Sequence, residues 1–197
     1  MARPQSIDDE DVLARLSCVF RDVGYDGASL TMLSEATGLK KASLYHRFPN
    51  GKQQMAEEVL KAALDWFEAN VLAPLRGAGS PSERVAVLAS NLDKFYAGGR
   101  HACLLNMLAS PRAETGPFSA AIKAAFEALI SAFSAVARDA GHDAKAARHR
   151  AERSVMLLQG SLVMSRGLGS TRPFRTFAAD LADDLLGTTV TDPPPRK

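Results

Sequence analysis

The chain reads as an all-α protein, and three observations lead there. Apolar residues recur at three- and four-residue intervals from one end to the other. No stretch alternates apolar and polar residues long enough for a strand, and the β-branched residues are scattered. Glycines, prolines and capping residues divide the periodic stretches into about nine helices.

The first helix is marked by Val12, Leu13, Leu16, Val19, Phe20 and Val23. Ser6 is placed to cap it, and Asp8, Asp9 and Glu10 suit the positive end of its dipole. Gly24 and Gly27 break the pattern. Two short apolar groups follow: Leu30, Leu33 and Ala36 before Gly38, then Leu44 and Phe48 after it. The turn "FPNGK" leads to a helix from about Gln53 with Met55, Val59, Leu60, Ala63, Phe67 and Val71 on one face, and Pro74 ends it. Ser80, Pro81 and Glu83 spell a capping box, and Val85, Leu88, Leu92, Phe95 and Tyr96 form the stripe behind it. Gly98 and Gly99 close that helix. "ACLLNMLA" is a short segment stopped by Pro111. Phe118, Ile122, Phe126, Leu129, Ile130 and Phe133 mark the next helix, which Gly141 stops. Ala147, Ala151, Val155, Leu158 and Leu162 mark the penultimate helix. Phe174, Phe177, Leu181 and Leu185 mark the last.

The 197 residues are 46% hydrophobic and 23% charged, an ordinary globular balance with a formal charge of only +2. A polyanionic partner must therefore be met by a local patch. Cys18 and Cys103 lie in apolar runs and are expected to be free, buried thiols with no zinc spacing. The polar start "MARPQSIDDED" has no signal-peptide pattern. No apolar run is expected to approach the ~20 residues of a membrane helix, so a cytoplasmic protein is expected.

The informative stretch is "LTMLSEATGLKKASLYHRF". With Ala42 to Phe48 on a helix at about 100° per residue, Leu44 and Phe48 point inward together. Ala42, Ser43 and His46 point the other way, with Tyr45 and Arg47 on the flanks. Small residues that permit close approach, beside donors for phosphates and base edges, are what a helix entering the major groove needs. A hydroxyl stands at the start of the preceding helix, and Gly38 supplies the sharp turn. From Ala36 through Ala56 there is no Asp or Glu, while Lys40, Lys41, Arg47 and Lys52 fall in that span. A helical hairpin with an ordinary basic surface would share the spacing; the missing carboxylates favour a surface turned to DNA.

Those residues resemble the DNA-binding region of the tetracycline-repressor (TetR) family of bacterial regulators. The likeness rests on Leu33 through Leu39, on Ser43–Leu44–Tyr45 leading to Phe48, and on Lys52, and it is specific over about residues 8 to 60. Two features depart from the family pattern. Arg47 holds the place often taken by histidine, with His46 displaced by one, and the turn "PNGK" is one residue longer than the commonest form. The resemblance implies an operator-binding homodimer that pairs through its last two helices and encloses a small-molecule effector site. It carries DNA contact to Thr31, Ser34, Lys40, Lys41, Ala42, Ser43, Tyr45, His46, Arg47 and Lys52. It also implies a head in residues 1–52 and a body in 53–187, while the end "TTVTDPPPRK", residues 188–197, has no apolar periodicity and is expected to be a disordered tail.

The stripes Ala147–Leu162 and Phe174–Leu185 are each long enough to face a second copy, with small Ala147, Ala151 and Gly160 for close approach. The expected effector site is bordered by Phe67, Leu92, Phe95, Tyr96, Leu104, Met107, Phe126, Phe133, Gln159 and Met164, a lining for a largely apolar, neutral molecule. Asp93 and Glu127 keep a lipophilic cation as the rival. A DNA-binding dimer that senses nothing is the second reading. An all-helical thiol enzyme using Cys103 with His101 is the third, with nothing in the sequence to orient the histidine. No cofactor or metal is expected.

Overall fold

The structure, a computed structural model, describes residues 8–109 and 116–187. Among them it has ten α-helical segments and no strand: α1 (Asp9–Gly27), α2 (Leu30–Thr37), α3 (Lys41–Arg47), α4 (Gly51–Phe67), α5 (Ala73–Arg76), α6 (Pro81–Phe95), α7 (Leu104–Met107), α8 (Ser119–Asp139), α9 (Ala144–Leu168) and α10 (Arg172–Leu186). Ser6, the expected cap, the stop at Pro111 and the tail from 188 lie outside the described residues; Asp8 holds the N-cap position of α1. The single turn α5 is the helix that periodicity missed.

The chain forms two compact units, residues up to Phe67 with His101–Ala125, and Glu68–Arg100 with the chain from Phe126 on. In the first unit α1 packs on α2, α4 and α7. Its core joins Val12, Leu16 and Phe20 of α1 to Leu33, Leu44, Phe48, Met55 and Val59. The boundary expected after residue 52 falls inside α4, whose buried face belongs to this same core. At Gly24 the backbone leaves helical geometry at φ 74°, and a Cβ there would stand 3.1 Å from the Met107 carbonyl oxygen. Cys18, expected to be buried, is exposed. On a helix it points away from the Leu16–Val19–Phe20 face, and an apolar run does not override that geometry.

In the second unit α10 packs on α9 and α6, and α5 on α6. The Ser80–Glu83 capping box forms, with the Glu83 backbone N–H donating to Ser80 Oγ at 3.3 Å and the Ser80 N–H to Glu83 Oε2 at 2.8 Å. Pro74 does not end α4. The helix passes at Glu68–Leu72 into a π-helical turn and then into α5, with Pro74 in its first turn. A proline has no N–H for the carbonyl four residues back. That carbonyl, of Asn70, accepts instead from Asn91 Nδ2 at 2.6 Å.

The two stripes expected to face a second copy are interior. Leu158, Leu181, Ala147 and Ala151 are fully buried within this unit. An apolar stripe of a two-layer bundle closes its own core first, and only the opposite face remains for a partner. By length and composition α8 is apolar enough to cross a membrane, against the expectation that no run would be. Much of that apolarity is alanine, and Leu129, Ala132, Phe133 and Val136 of the same helix are buried in the unit. A core helix passes the same test.

Candidate nucleic-acid interface

Ser29 caps α2, its hydroxyl accepting from the Met32 N–H at 3.2 Å. Gly38 ends the helix at φ 70°, and a Cβ there would meet nothing within 4 Å. Glycine is required for the left-handed backbone and not for room. Across this turn Ser34 Oγ donates to the Leu39 carbonyl at 2.6 Å. Buried Thr37 donates through its hydroxyl to the Leu33 carbonyl at 2.8 Å. The turn is thus fixed by side chains at both ends, and it sets the direction of α3.

On α3, Leu44 and Phe48 are buried, while Lys40 at its N-cap, Lys41, Ala42, Ser43, Tyr45 and His46 are exposed. Lys41 Nζ donates to Thr31 Oγ1 at 2.8 Å, joining the starts of α2 and α3. The face is small at Ala42 and Ser43 and cationic or hydrogen-bonding around them.

Three of the expected contact residues sit differently. Ser34 is half-buried, and its hydroxyl is engaged within the turn. Arg47 is half-buried, ion-paired with Asp9 at the start of α1, with its guanidinium carbon 5.8 Å from the centre of the Phe48 ring. Lys52 turns toward α1: Nζ donates to the Tyr25 carbonyl at 2.8 Å and lies 4.5 Å from the centre of that ring. The last turn of α1 has no basic residue of its own, so Lys52 supplies the cation its carbonyl end favours. Burial, and the negative charges of Asp26 and Glu57, hold the Tyr25 phenol above its ordinary pKa. Asp9, Tyr25 and Ser29 are what the sequence reading missed here. Only Ser29, a serine directly before an apolar pattern, carried a signal for its role.

The expected effector-site residues divide between the units. In the first, Leu104 is buried and Phe67 and Met107 are half-buried. In the second, Leu92 and Phe133 are fully buried, and Tyr96 stacks edge-on to Phe95 and Phe174 with ring centres 5.0 and 5.9 Å apart. Phe95, Phe126 and Gln159 are half-buried. Met164 is exposed on the outer face of α9, in a groove shared with α10. Cys103 is 4% exposed, which denies it the access a nucleophile needs.

Residues 17–59 match the family model of bacterial regulatory proteins of the tetR family, and residues 82–180 match that of the LmrA/YxaF-like transcriptional regulator C-terminal domain. The chain is 22% identical over 181 residues to the HTH-type transcriptional regulator LmrA of Bacillus subtilis, covering 89% of this chain and 95% of LmrA. It is 34% identical over 87 residues to the HTH-type transcriptional repressor KstR2 of Mycolicibacterium smegmatis, 44% of this chain and 42% of that one. A TetR transcriptional regulator from Legionella pneumophila shares the fold at a TM-score of 0.78 and 21% identity, covering 93% of this chain and 100% of that chain. A cysteine variant of the TetR family regulator CifR, solved with 26bp double-strand operator DNA, superposes at a TM-score of 0.71 and 25% identity, over 93% of this chain and 98% of that one. With its helix-turn-helix and all-helical body matched by two models of one family, the chain belongs to the TetR family of DNA-binding transcriptional regulators.

Proposed function

We propose that the protein is a homodimeric repressor that holds double-stranded operator DNA through α3 and is released by a small, largely apolar molecule. The observation that carries the DNA half is the outward face of α3, with Leu44 and Phe48 buried behind it. Lys41 and Thr31 supply a cation and a hydroxyl for phosphate, and Ala42 and Ser43 allow close approach to base edges. Tyr45 and His46 add donors further along the helix. Ser34, Arg47 and Lys52 act on this face through the turn, α1 and Tyr25. CifR, a regulator of the same family solved with double-strand operator DNA, supports operator DNA as the partner.

In this reading the DNA-reading segment lies in residues 1–52, and the sensing and pairing body lies in 53–187. Pairing uses the outer faces of α9 and α10. Phe95, Phe126 and Gln159, each half-buried, are the candidates in the body for aromatic contact with a guest and for an amide to orient it. The named repressor KstR2 supports repression as the sign of control. The protein acts in the cytoplasm, where its DNA is.

Selection of bound sequences from a random duplex pool, followed by gel shifts in the presence of candidate effectors, tests the proposal. A palindromic site released by neutral aromatic compounds is expected, with Glu127→Gln still responsive. Release by cations alone, abolished in Glu127→Gln, would replace the neutral effector with a cationic one. A protein that selects no sequence is not an operator-binding repressor.

A further inference from the structure

The outward faces of α9 and α10 meet in a groove of about 630 Å³. Its α9 wall is apolar, formed by Met156, Leu157, Met164 and Leu168 around Gly160. Met156 and Leu168 are 66% and 67% exposed. An apolar face of this kind on a soluble helix pair marks a contact surface.

The α10 wall is different in chemistry. Arg172, Thr176, Asp180 and Asp184 fall on it at four-residue spacing, so it runs from cation through a neutral residue to anions. Asp184 is engaged by Arg153 at 3.4 Å. The side chains of Arg172 and Asp180 have no ion-pair partner among the described residues. A stripe graded in this way is its own complement when turned end for end. Stacked parallel, it would set like charge on like.

Two contacts fix the register of the walls. The Phe174 N–H donates to Ser165 Oγ at 3.2 Å at one end, and Arg153 meets Asp184 at the other. Thr176, midway between Arg172 and Asp180, therefore lies level with the middle of the apolar wall from Met156 to Leu168. One two-fold axis at that level serves both walls. It lays apolar surface on apolar surface and brings each free cation to a free carboxylate.

Resting on the homodimer reading above, we propose that Arg172 pairs with Asp180 of the partner subunit about a two-fold axis at Thr176, so that this charge register selects a second copy of the chain, turned end for end, as the occupant of the groove. Two equivalent pairs form in each dimer. They flank the apolar centre, where rim charges set orientation and partner choice more than gross affinity.

The test is sedimentation equilibrium of the full chain at low and physiological salt, with circular dichroism to verify folding. Four proteins are compared with the wild type: Met164→Glu, Arg172→Asp, Asp180→Arg and the double reversal. All three positions are exposed, so the variants are expected to fold. Met164→Glu should be monomeric. Each single reversal should weaken self-association about tenfold at low salt, and the double reversal should return to within about threefold of the wild type. Mixing the two single variants should give mixed dimers in preference to either parent. If the single variants associate as tightly as the wild type, or the double fails to recover, the charge register is wrong while the groove remains the interface. If the wild type is monomeric, or Met164→Glu stays dimeric, the homodimer through this groove fails and takes the register with it.

Discussion

The ammonium of Lys41 donates to the hydroxyl of Thr31 at 2.8 Å, tying the first residue of α3 to the start of α2 across ten positions of sequence. Both side chains are exposed, so the link leaves the remaining donors of the ammonium turned to solvent. Lys41→Ala should therefore weaken binding to all DNA sequences alike and reduce the slope of log affinity against log salt by about 1. Thr31→Val keeps the charge and should cost less, with the slope unchanged. Gel-shift titrations at four salt concentrations separate the two. Equal slopes in wild type and Lys41→Ala would show that Lys41 touches no phosphate.

Ser34 is predicted to act on geometry. Its hydroxyl bonds the Leu39 carbonyl at 2.6 Å in a half-buried turn. Ser34→Ala should lower stability by about 1 kcal/mol in urea denaturation and weaken operator binding with no change of salt slope. A shallower slope would instead mark a direct phosphate contact.

Lys52 gives the converse case. Its ammonium meets the Tyr25 carbonyl and ring, so Lys52→Gln should cost about 1 kcal/mol of stability and leave the salt slope as it was. A slope reduced by about 1 with stability intact would return Lys52 to the DNA.

The sequence legibly placed what depends on local pattern. Leu44 and Phe48 were identifiable as the inward side of α3 because four residues make one turn. Gly38 and the Ser80–Glu83 box were identifiable because each residue type has one dominant use at a helix end. What was not legible depends on partners distant in sequence. Arg47 and Lys52 count as cations in an acid-free window, yet Asp9 and Tyr25, from α1, are what they meet. The absence of carboxylates along the chain does not exclude them in space. Leu158 and Leu181 were expected at the interface and are interior, since periodicity reports that a face is covered and not by what. The exposed side of α9 carries apolar residues from Met156 to Leu168 as well, which blurs the helix's amphipathic signal; it hid Met156 and Leu168 and drew Met164 into the expected effector lining.

Acid sensitivity should arise in part from two helix caps. The Ser80 N–H, then the Ser80 hydroxyl, bond Glu83 and hold its carboxyl below the ordinary range. The Ala146 and Lys145 N–H groups do the same for Asp143, at 2.9 and 2.8 Å. For a carboxyl whose folded pKa is lowered, the native state binds fewer protons. Its contribution is whole above the unfolded pKa and is lost as pH falls through the lowered folded value. Urea midpoints measured from pH 7 to pH 3 should fall less steeply for Glu83→Gln and Asp143→Asn than for the wild type. Parallel curves would assign the acid limb to other carboxylates.

Arg84 is the buried cation of the second unit. Its Nη1 donates to the Leu75 carbonyl at 2.9 Å and its Nη2 to Asp139 at 2.8 Å, joining α5 and α8 to α6. The Arg84 side chain is 9% exposed but that of Asp139 is 54% exposed, so solvent screens the ion pair and can replace it. The Leu75 carbonyl belongs to the single-turn α5, whose other helical partners are few, and water does not replace a buried donor so readily. Arg84→Met, which keeps most of the apolar stem, should therefore cost about 2 kcal/mol, while Asp139→Asn should cost less than about 1 kcal/mol. Urea denaturation of both variants decides between the two bonds. If Asp139→Asn destabilises as much as Arg84→Met, the ion pair and not the carbonyl bond is what Arg84 is buried to make.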